Sequence, residues 1–324
     1  MSRKFAIRLF LFAASLLVVN FILDQTYRHL AFFNILNNSV DKQFLEYEDT
    51  LKYLVMGNSH DCIDTRILEH SFNYGSPSEN YAQTYYKLRR VMQTTHKIPE
   101  NLILFIDMSC FGKKISNRFD YSSYWVKYVD YGELARIKHD NNLLVNWFGG
   151  RFCSYAGNYK EIQLTLLYLI KIGHMELYRG YHPHRDFRNF ALNEDKTKEA
   201  RRKAELYFSK DDYFDPDMVL YFERLLQLCL DNHIRVILVR IPVTKEFWDE
   251  ALKIVPADTI YQRVDSIIRR YPNVTRVLDY HDLYFGHPDY FFDPDHLNPK
   301  GSDSITTVLK RDLNTPMFHG PELY

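Results

Sequence analysis

The sequence has no surplus of charge of either sign. Its 324 residues hold 41 Lys and Arg against 41 Asp and Glu. A general nucleic-acid binder needs a basic excess to meet the phosphate backbone, so that class is excluded. Cysteine is also scarce: only Cys62, Cys110, Cys153 and Cys229 are present. None forms a C-x-x-C pair, so neither a zinc ribbon nor a thioredoxin-type site is written here. The spacing is too sparse for a disulfide scaffold, and the four read as packing thiols. No segment repeats. Long apolar runs are missing from all but the first residues: Leu164 to Ile170, inside the stretch Gln163 to Ile172, is too short to span a bilayer.

What is present is an ordinary globular composition, 46% hydrophobic and 25% charged, which excludes a disordered chain. The length suits one large domain or two modest ones. Aromatic residues reach 16%, carried by 25 Tyr and 23 Phe. Such rings build thick cores, and the Tyr hydroxyl keeps a polar tip for clefts.

Residues 1–23 differ from the rest. Arg3, Lys4 and Arg8 precede an apolar run that ends at Leu23. Counted from Phe5, with Arg8 snorkelling to the headgroups, the run is long enough for a transmembrane helix. Asp24-Gln-Thr-Tyr-Arg follows with no small-x-small cleavage pattern, which favours an uncleaved signal-anchor over a cleaved signal peptide. The positive-inside rule then leaves Asp24 onward outside the cytoplasm, periplasmic or on the outer face of the membrane. With Arg3, Lys4 and Arg8 set aside, that outer part is mildly acidic.

Residues 24–50 read as a polar lead-in, and 51–315 as the main domain. Short apolar strands fall at 51–56, 71–74, 101–106, 235–241 and 275–279, with helices expected at 60–70, 81–96, from Asp215, over 247–270 with a break at Pro256, and over 302–313. Strand–helix alternation predicts an α/β fold: a five-stranded parallel sheet with helices on both faces, a three-layer α/β/α domain of flavodoxin-like order 2-1-3-4-5. Residues 111–214 interrupt the alternation as a mostly helical insertion after strand three. Within it, Lys196 to Glu205 reads as a solvated charged face.

Two short patterns could carry chemistry. Gly57-Asn58-Ser59-His60 follows strand one. A serine at a strand-to-helix turn presents its hydroxyl at the sheet's carboxyl edge, next to helix N–H groups that can hold an oxyanion. Ser59 could equally be an ordinary helix N-cap. Phe291-Phe-Asp-Pro-Asp-His-Leu-Asn-Pro-Lys-Gly301 precedes the last helix. A catalytic serine needs a base, and the base needs a carboxylate to hold its tautomer. Asp293 and His296, three apart, could supply both, with Asp295 as a substitute. The alternative is an Asx-rich loop with His296 exposed.

Taken together, the two patterns resemble the SGNH (GDSL-type) hydrolase superfamily over roughly residues 50–110 and 215–315. That family carries its serine after strand one and an Asp-x-x-His near the C-terminus, and His296-Leu-Asn-Pro-Lys-Gly301 is similar to its usual ending. The resemblance implies Ser59 as nucleophile, His296 as general base and Asp293 as its orienting carboxylate. The family's second block is less well matched: in Asn73-Tyr-Gly75-Ser-Pro-Ser78, Ser78 stands where the oxyanion glycine is usual, with Gly75 as a weaker substitute. Its third block normally offers an Asn, where this chain has Asp107-Met-Ser109-Cys110, and Ser109 lies nearest. The departures are similar to those of the membrane-anchored branch, whose proteins acetylate alginate or help to D-alanylate teichoic acid, often beside a membrane-bound O-acyltransferase.

The expected function is therefore that of a serine O-acyl esterase or acyltransferase acting on acylated envelope glycan or a similar ester, without cofactor or metal. A noncatalytic scaffold of an envelope-modifying complex is the alternative from another class. Other candidates are weaker. His60 is the serine's own neighbour. His281, Asp282 and His287 read as loop residues, and His182-Pro-His184 lacks a third metal ligand. Tyr121, Tyr124, Trp125, Tyr128, Tyr131 and Trp147 could line a sugar cleft or simply fill a helical core.

Overall fold

The computed structural model describes residues 3–30, 32–48, 50–58, 62–116 and 189–315, with 125, 127–129, 131–138, 149, 152–155, 163, 165 and 177–182 between them. Helix α1 (Arg3–Leu30) is long and apolar enough to cross a membrane, and none of its most apolar window is buried by protein. The lead-in is helical too. α1 runs on past Leu23, and α2 (Phe32–Glu46) sends Val40 and Phe44 into the core. Phe44 stacks on Tyr74 at 4.6 Å, so this segment is part of the domain's packing.

The sheet is formed by β1 (Tyr53–Met56), β2 (Ser71–Asn73), β3 (Asn101–Phe105), β4 (Arg235–Arg240) and β5 (Val274–Asp279). All neighbouring pairs are parallel, in the order β2-β1-β3-β4-β5. Side chains alternate across a strand, and here both sets are covered. Leu54, Leu102, Leu104, Val236 and Leu238 enter one apolar cluster; Tyr53, Val55, Ile103, Phe105 and Val239 enter another. Every residue of β3 is buried, which is why the middle strand reads as apolar throughout.

The helices begin where their caps are written. Asn80 and Gln83 close a capping box on α3 (Tyr81–Thr95). Among the described residues of the insertion, α4 (Tyr131–Lys138) and α5 (Lys196–Tyr207) are helical. Asp215 caps α6 (Pro216–Asp231), with Pro216 in the first turn. The 247–270 stretch is two helices, α7 (Lys245–Leu252) and α8 (Ala257–Ile268), parted at Pro256. The last helix, α9 (Pro299–Asn314), starts three residues before the expected 302, because the Asn298 side chain accepts from Gly301 N–H. α3, α6 and α8 pack on the first cluster, and α9 adds Ile305 and Leu309 to the second.

One expected helix is absent. Residues 62–70 are turns, not helix. The buried Asp64 carboxylate accepts from Arg66 N–H at 2.8 Å and ion-pairs the same residue's guanidinium, which ties a tight local turn. Ile63 and Leu68 then fill the second cluster.

Candidate active site

The carboxyl ends of the central strands are tied together by short bonds. Gly57, just after β1, has φ +146°, and a Cβ there would meet the Phe105 ring at 2.8 Å, so only glycine fits. Its carbonyl accepts from Ser76 N–H beyond β2. Asn58 is buried and its amide faces Cys110 Sγ beyond β3 at 3.7 Å. On the far side, Thr306 of α9 accepts from Asp64 N–H at 2.9 Å and donates to the Ser302 carbonyl at 2.7 Å, with the Cys62 carbonyl at 3.3 Å. Ser59 and His60 lie outside the described residues. The chain on both sides of them is held, by β1 and β3 on one flank and by α9 on the other. No regular helix follows within 62–70, so the expected helix N-terminus does not supply oxyanion donors there.

Asp293 and His296 are brought together. They sit in a small antiparallel hairpin, β6 (Phe291–Asp293) and β7 (His296–Leu297), where they face each other across the pair. The hairpin is docked beyond β4: the Pro294 carbonyl accepts from Thr244 N–H at 3.0 Å and from the Thr244 hydroxyl at 2.8 Å. Asp293 Oδ1 lies 2.9 Å from His296 Nδ1 and also accepts the backbone N–H groups of Asp295 and His296. A carboxylate so placed holds the proton on Nδ1 and leaves Nε2 as the basic nitrogen. Asp295 Oδ1 stands 3.3 Å from the same Nδ1, so Asp293 is the nearer partner. The glycine that ends the motif has a packing reason: a Cβ on Gly301 would fall 2.3 Å from the Tyr290 carbonyl.

The sequence reading missed Lys203. It projects from α5, in the stretch read as a solvated face, but α5 buries Ala200 and Ala204 and is a packed helix. Lys203 Nζ lies 2.8 Å from Asp293 Oδ2, 3.0 Å from Asp295 Oδ1 and 3.3 Å from His296 Nδ1. Its side chain is only 12% exposed. Burial works against its charge, yet the Asp295 and Asp293 carboxylates outweigh burial and hold the ammonium well above its ordinary pKa. The only available signal was Lys203 lying within a turn of the two small residues, Ala200 and Ala204, at helical spacing.

The same balance sets His296. Burial opposes its protonation, but the Asp295 charge and the hydrogen bonds the ring donates to Asp293 and Asp295 prevail and push the imidazole up to about 9. Base catalysis needs the neutral ring, so reaction at a His296-activated serine should rise with pH through about 9. Lys203→Met removes a nearby positive charge and should move that midpoint up by about one pH unit. A rate–pH profile, or the His296 ring signal followed by NMR, checks this. A midpoint that stays put or falls would mean Lys203 does not act on the imidazole.

The oxyanion candidates separate. Ser78 is exposed with φ +59°, a left-handed conformation that glycine adopts most readily. Among the described residues its N–H donates to nothing. The Gly75 N–H is already donated to Asn73 Oδ1 at 3.2 Å. Ser109 is buried in a 3₁₀ turn, Met108–Phe111. With Asp107, Tyr207, His281 and Asp295 it borders a cavity of about 20 Å³, room for one water.

The remaining candidates find other roles. His281 Nδ1 pairs with Asp279 at 2.8 Å, not with Asp282, and Asp279 also binds Arg240. His287 is exposed and stacks on Tyr290. His184, Tyr121, Tyr124 and Trp147 lie outside the described residues. Trp125 is buried, and the Tyr128 hydroxyl donates to Asp41 at 3.0 Å, so these two rings belong to the packing. The four cysteines are free thiols. Among the described residues one set of potential metal ligands converges, Asp293, Asp295 and His296, within 4.8 Å. The Lys203 ammonium takes the place a cation would need between the two carboxylates, so the set is not open to a metal.

No protein-family model matches this chain, and no curated protein matches it either.

Proposed function

We propose that the protein is a membrane-anchored serine O-acyl esterase or acyltransferase of SGNH type, acting on acylated envelope glycan or a similar polymer. The observation that carries this reading is the buried Asp293–His296 pair beyond the sheet's carboxyl edge, with Nδ1 against the carboxylate at 2.9 Å. Solvated loop residues have no physical need for that arrangement. The two apolar clusters on opposite strand faces and the β2-β1-β3-β4-β5 order support the accompanying fold reading, a three-layer α/β/α domain with a flavodoxin-like sheet.

The reaction runs as an acyl-enzyme cycle. His296 Nε2 takes the proton of Ser59 Oγ as the oxygen attacks the ester carbonyl carbon. The carbonyl electrons move to the oxygen, held by the N–H groups of Ser59 and Ser78. Collapse expels the alcohol, which takes the proton from His296. Water or a sugar hydroxyl then attacks the acyl-enzyme. The usual side-chain amide is replaced by Ser109, and loss of one oxyanion donor commonly lowers turnover by about 10²–10³. Acylation and both fates of the acyl-enzyme pass through the same oxyanion, so the deficit slows hydrolysis and transfer alike. An outward-facing domain on an uncleaved α1 suits a membrane-bound O-acyltransferase as the acyl supplier.

Labelling with a fluorophosphonate, wild type against Ser59→Ala, tests the nucleophile. Ser59-dependent adduct is expected, and its absence favours the noncatalytic scaffold. Incubating the protein with an acylated glycan and a sugar acceptor separates transfer from hydrolysis. Free acid as the sole product would refute transfer.

A further inference from the structure

α1 is not bare at its outer end. Asn20 lies inside the apolar run, yet its side chain is satisfied by the insertion. Asn20 Nδ2 donates to the Phe152 carbonyl at 2.7 Å. Asn20 Oδ1 accepts from the Tyr155 hydroxyl at 2.8 Å and from Cys153 Sγ at 3.2 Å. One turn further on, Asp24 is 3% exposed. Its Oδ1 accepts from Ser154 N–H at 2.8 Å and from the Ser154 hydroxyl at 2.7 Å, and Arg28 Nε closes the other oxygen at 2.6 Å. Every protein partner of Asn20 named here comes from four consecutive residues, 152–155.

Depth follows from helix geometry. At 1.5 Å per residue, Asn20 lies roughly 6 Å further into the apolar run than Asp24. An amide near the edge of the hydrocarbon competes for few waters, and leaving it unpaired is costly. The 152–155 turn that satisfies it must therefore reach the same level. Phe152 is 52% exposed at that place, and Phe21 and Leu17 on α1 are exposed as well. An aromatic ring beside backbone polar groups and a Tyr hydroxyl suits the headgroup boundary.

We infer that the 152–155 turn is a second membrane contact, clamped to the outer end of α1 by Asn20 and Asp24 and laying Phe152 into the lipid interface. This rests on α1 being a membrane span. The consequence is that the 152–155 turn is held at the bilayer surface beside the outer end of α1.

The test uses the full chain in lipid nanodiscs in a Cys153→Ser background, with a bimane label at Phe152→Cys and, separately, at Leu17→Cys. Quenchers are lipid nitroxides placed near the headgroup or near the chain end, and aqueous iodide. Position 152 is expected to be quenched at least about twofold more by the shallow nitroxide than by iodide, as an interfacial side chain should be. Position 17 should respond to lipid nitroxides alone. Iodide quenching at 152 with lipid quenching at 17 overturns the inference and leaves the anchor standing. Iodide quenching at both positions overturns the anchor reading itself. Adding Asn20→Leu with Asp24→Leu should move position 152 toward iodide without changing 17; an unchanged signal at 152 overturns the clamp.

Discussion

Asp293→Asn is expected to lower Ser59-dependent ester turnover by about 10⁴-fold, the scale on which serine hydrolases lose rate when the imidazole is held in the wrong tautomer. Asp293 Oδ1 receives the Nδ1 proton at 2.9 Å and two backbone N–H groups as well. An amide in its place can present NH₂ to Nδ1 and turn the basic nitrogen inward. The companion change Asp295→Asn should act differently. Asp295 lies at 3.3 Å and contributes mainly charge to His296. Removing that charge should lower the imidazole pKa and move the activity midpoint toward neutral pH, with turnover at high pH little changed. Steady-state kinetics on a chromogenic acetyl ester across pH reads both. If Asp295→Asn gave the large loss and Asp293→Asn the small one, the orienting carboxylate would be Asp295.

Lys87→Met is expected to be the most damaging single change to stability. Lys87 and Glu79 form an ion pair with both side chains 0% exposed, Nζ to Oε2 at 3.1 Å. Breaking such a pair leaves a buried charge without its partner and costs about 3–5 kcal/mol. For a domain of this size that corresponds to a fall in melting temperature of roughly 5–10 °C. Replacing both partners, Lys87→Met with Glu79→Leu, should recover most of the loss, because two apolar side chains carry no desolvation penalty. The double variant should still be slow. Lys87 also donates to the Tyr74 carbonyl and to Ser76 Oγ at 2.9 Å, which holds the loop that carries Ser78. Thermal unfolding and ester turnover measured together separate the two roles. A double variant as active as wild type would show that the pair does not position the loop.

The sheet was legible because four of its strands are largely buried runs and the fifth, β5, is still partly covered. All five were found within two residues of their ends, and β3 needed no turn signal beyond its own apolarity. The helix start at Asp215 was equally plain to local rules. The helix expected at 60–70 failed because Asp64 spends its carboxylate on its own neighbours, a choice that helical spacing does not register. Asp293 and His296 were found because their chemistry is local, three residues apart in one hairpin. Lys203 was not, because a charged residue on a charged stretch looks solvated until the facing surface is known. Its partners are 90 residues away in the chain. The closeness of Asp293 to His296, as against Asp295, was likewise decided by the hairpin register and by the backbone donors that fill Asp293 Oδ1.

The Thr306 hydroxyl joins ends of the chain that are synthesised far apart. It meets Asp64 N–H and the Cys62 carbonyl across 242 and 244 residues of sequence. The stretch just after Ser59 thus waits for the final helix to be made before it has its support. Contacts of such separation form late, since the loop must close before it is rewarded. If Ser59 and His296 react together as proposed, a growing chain that has left the ribosome only in part holds the serine without its base.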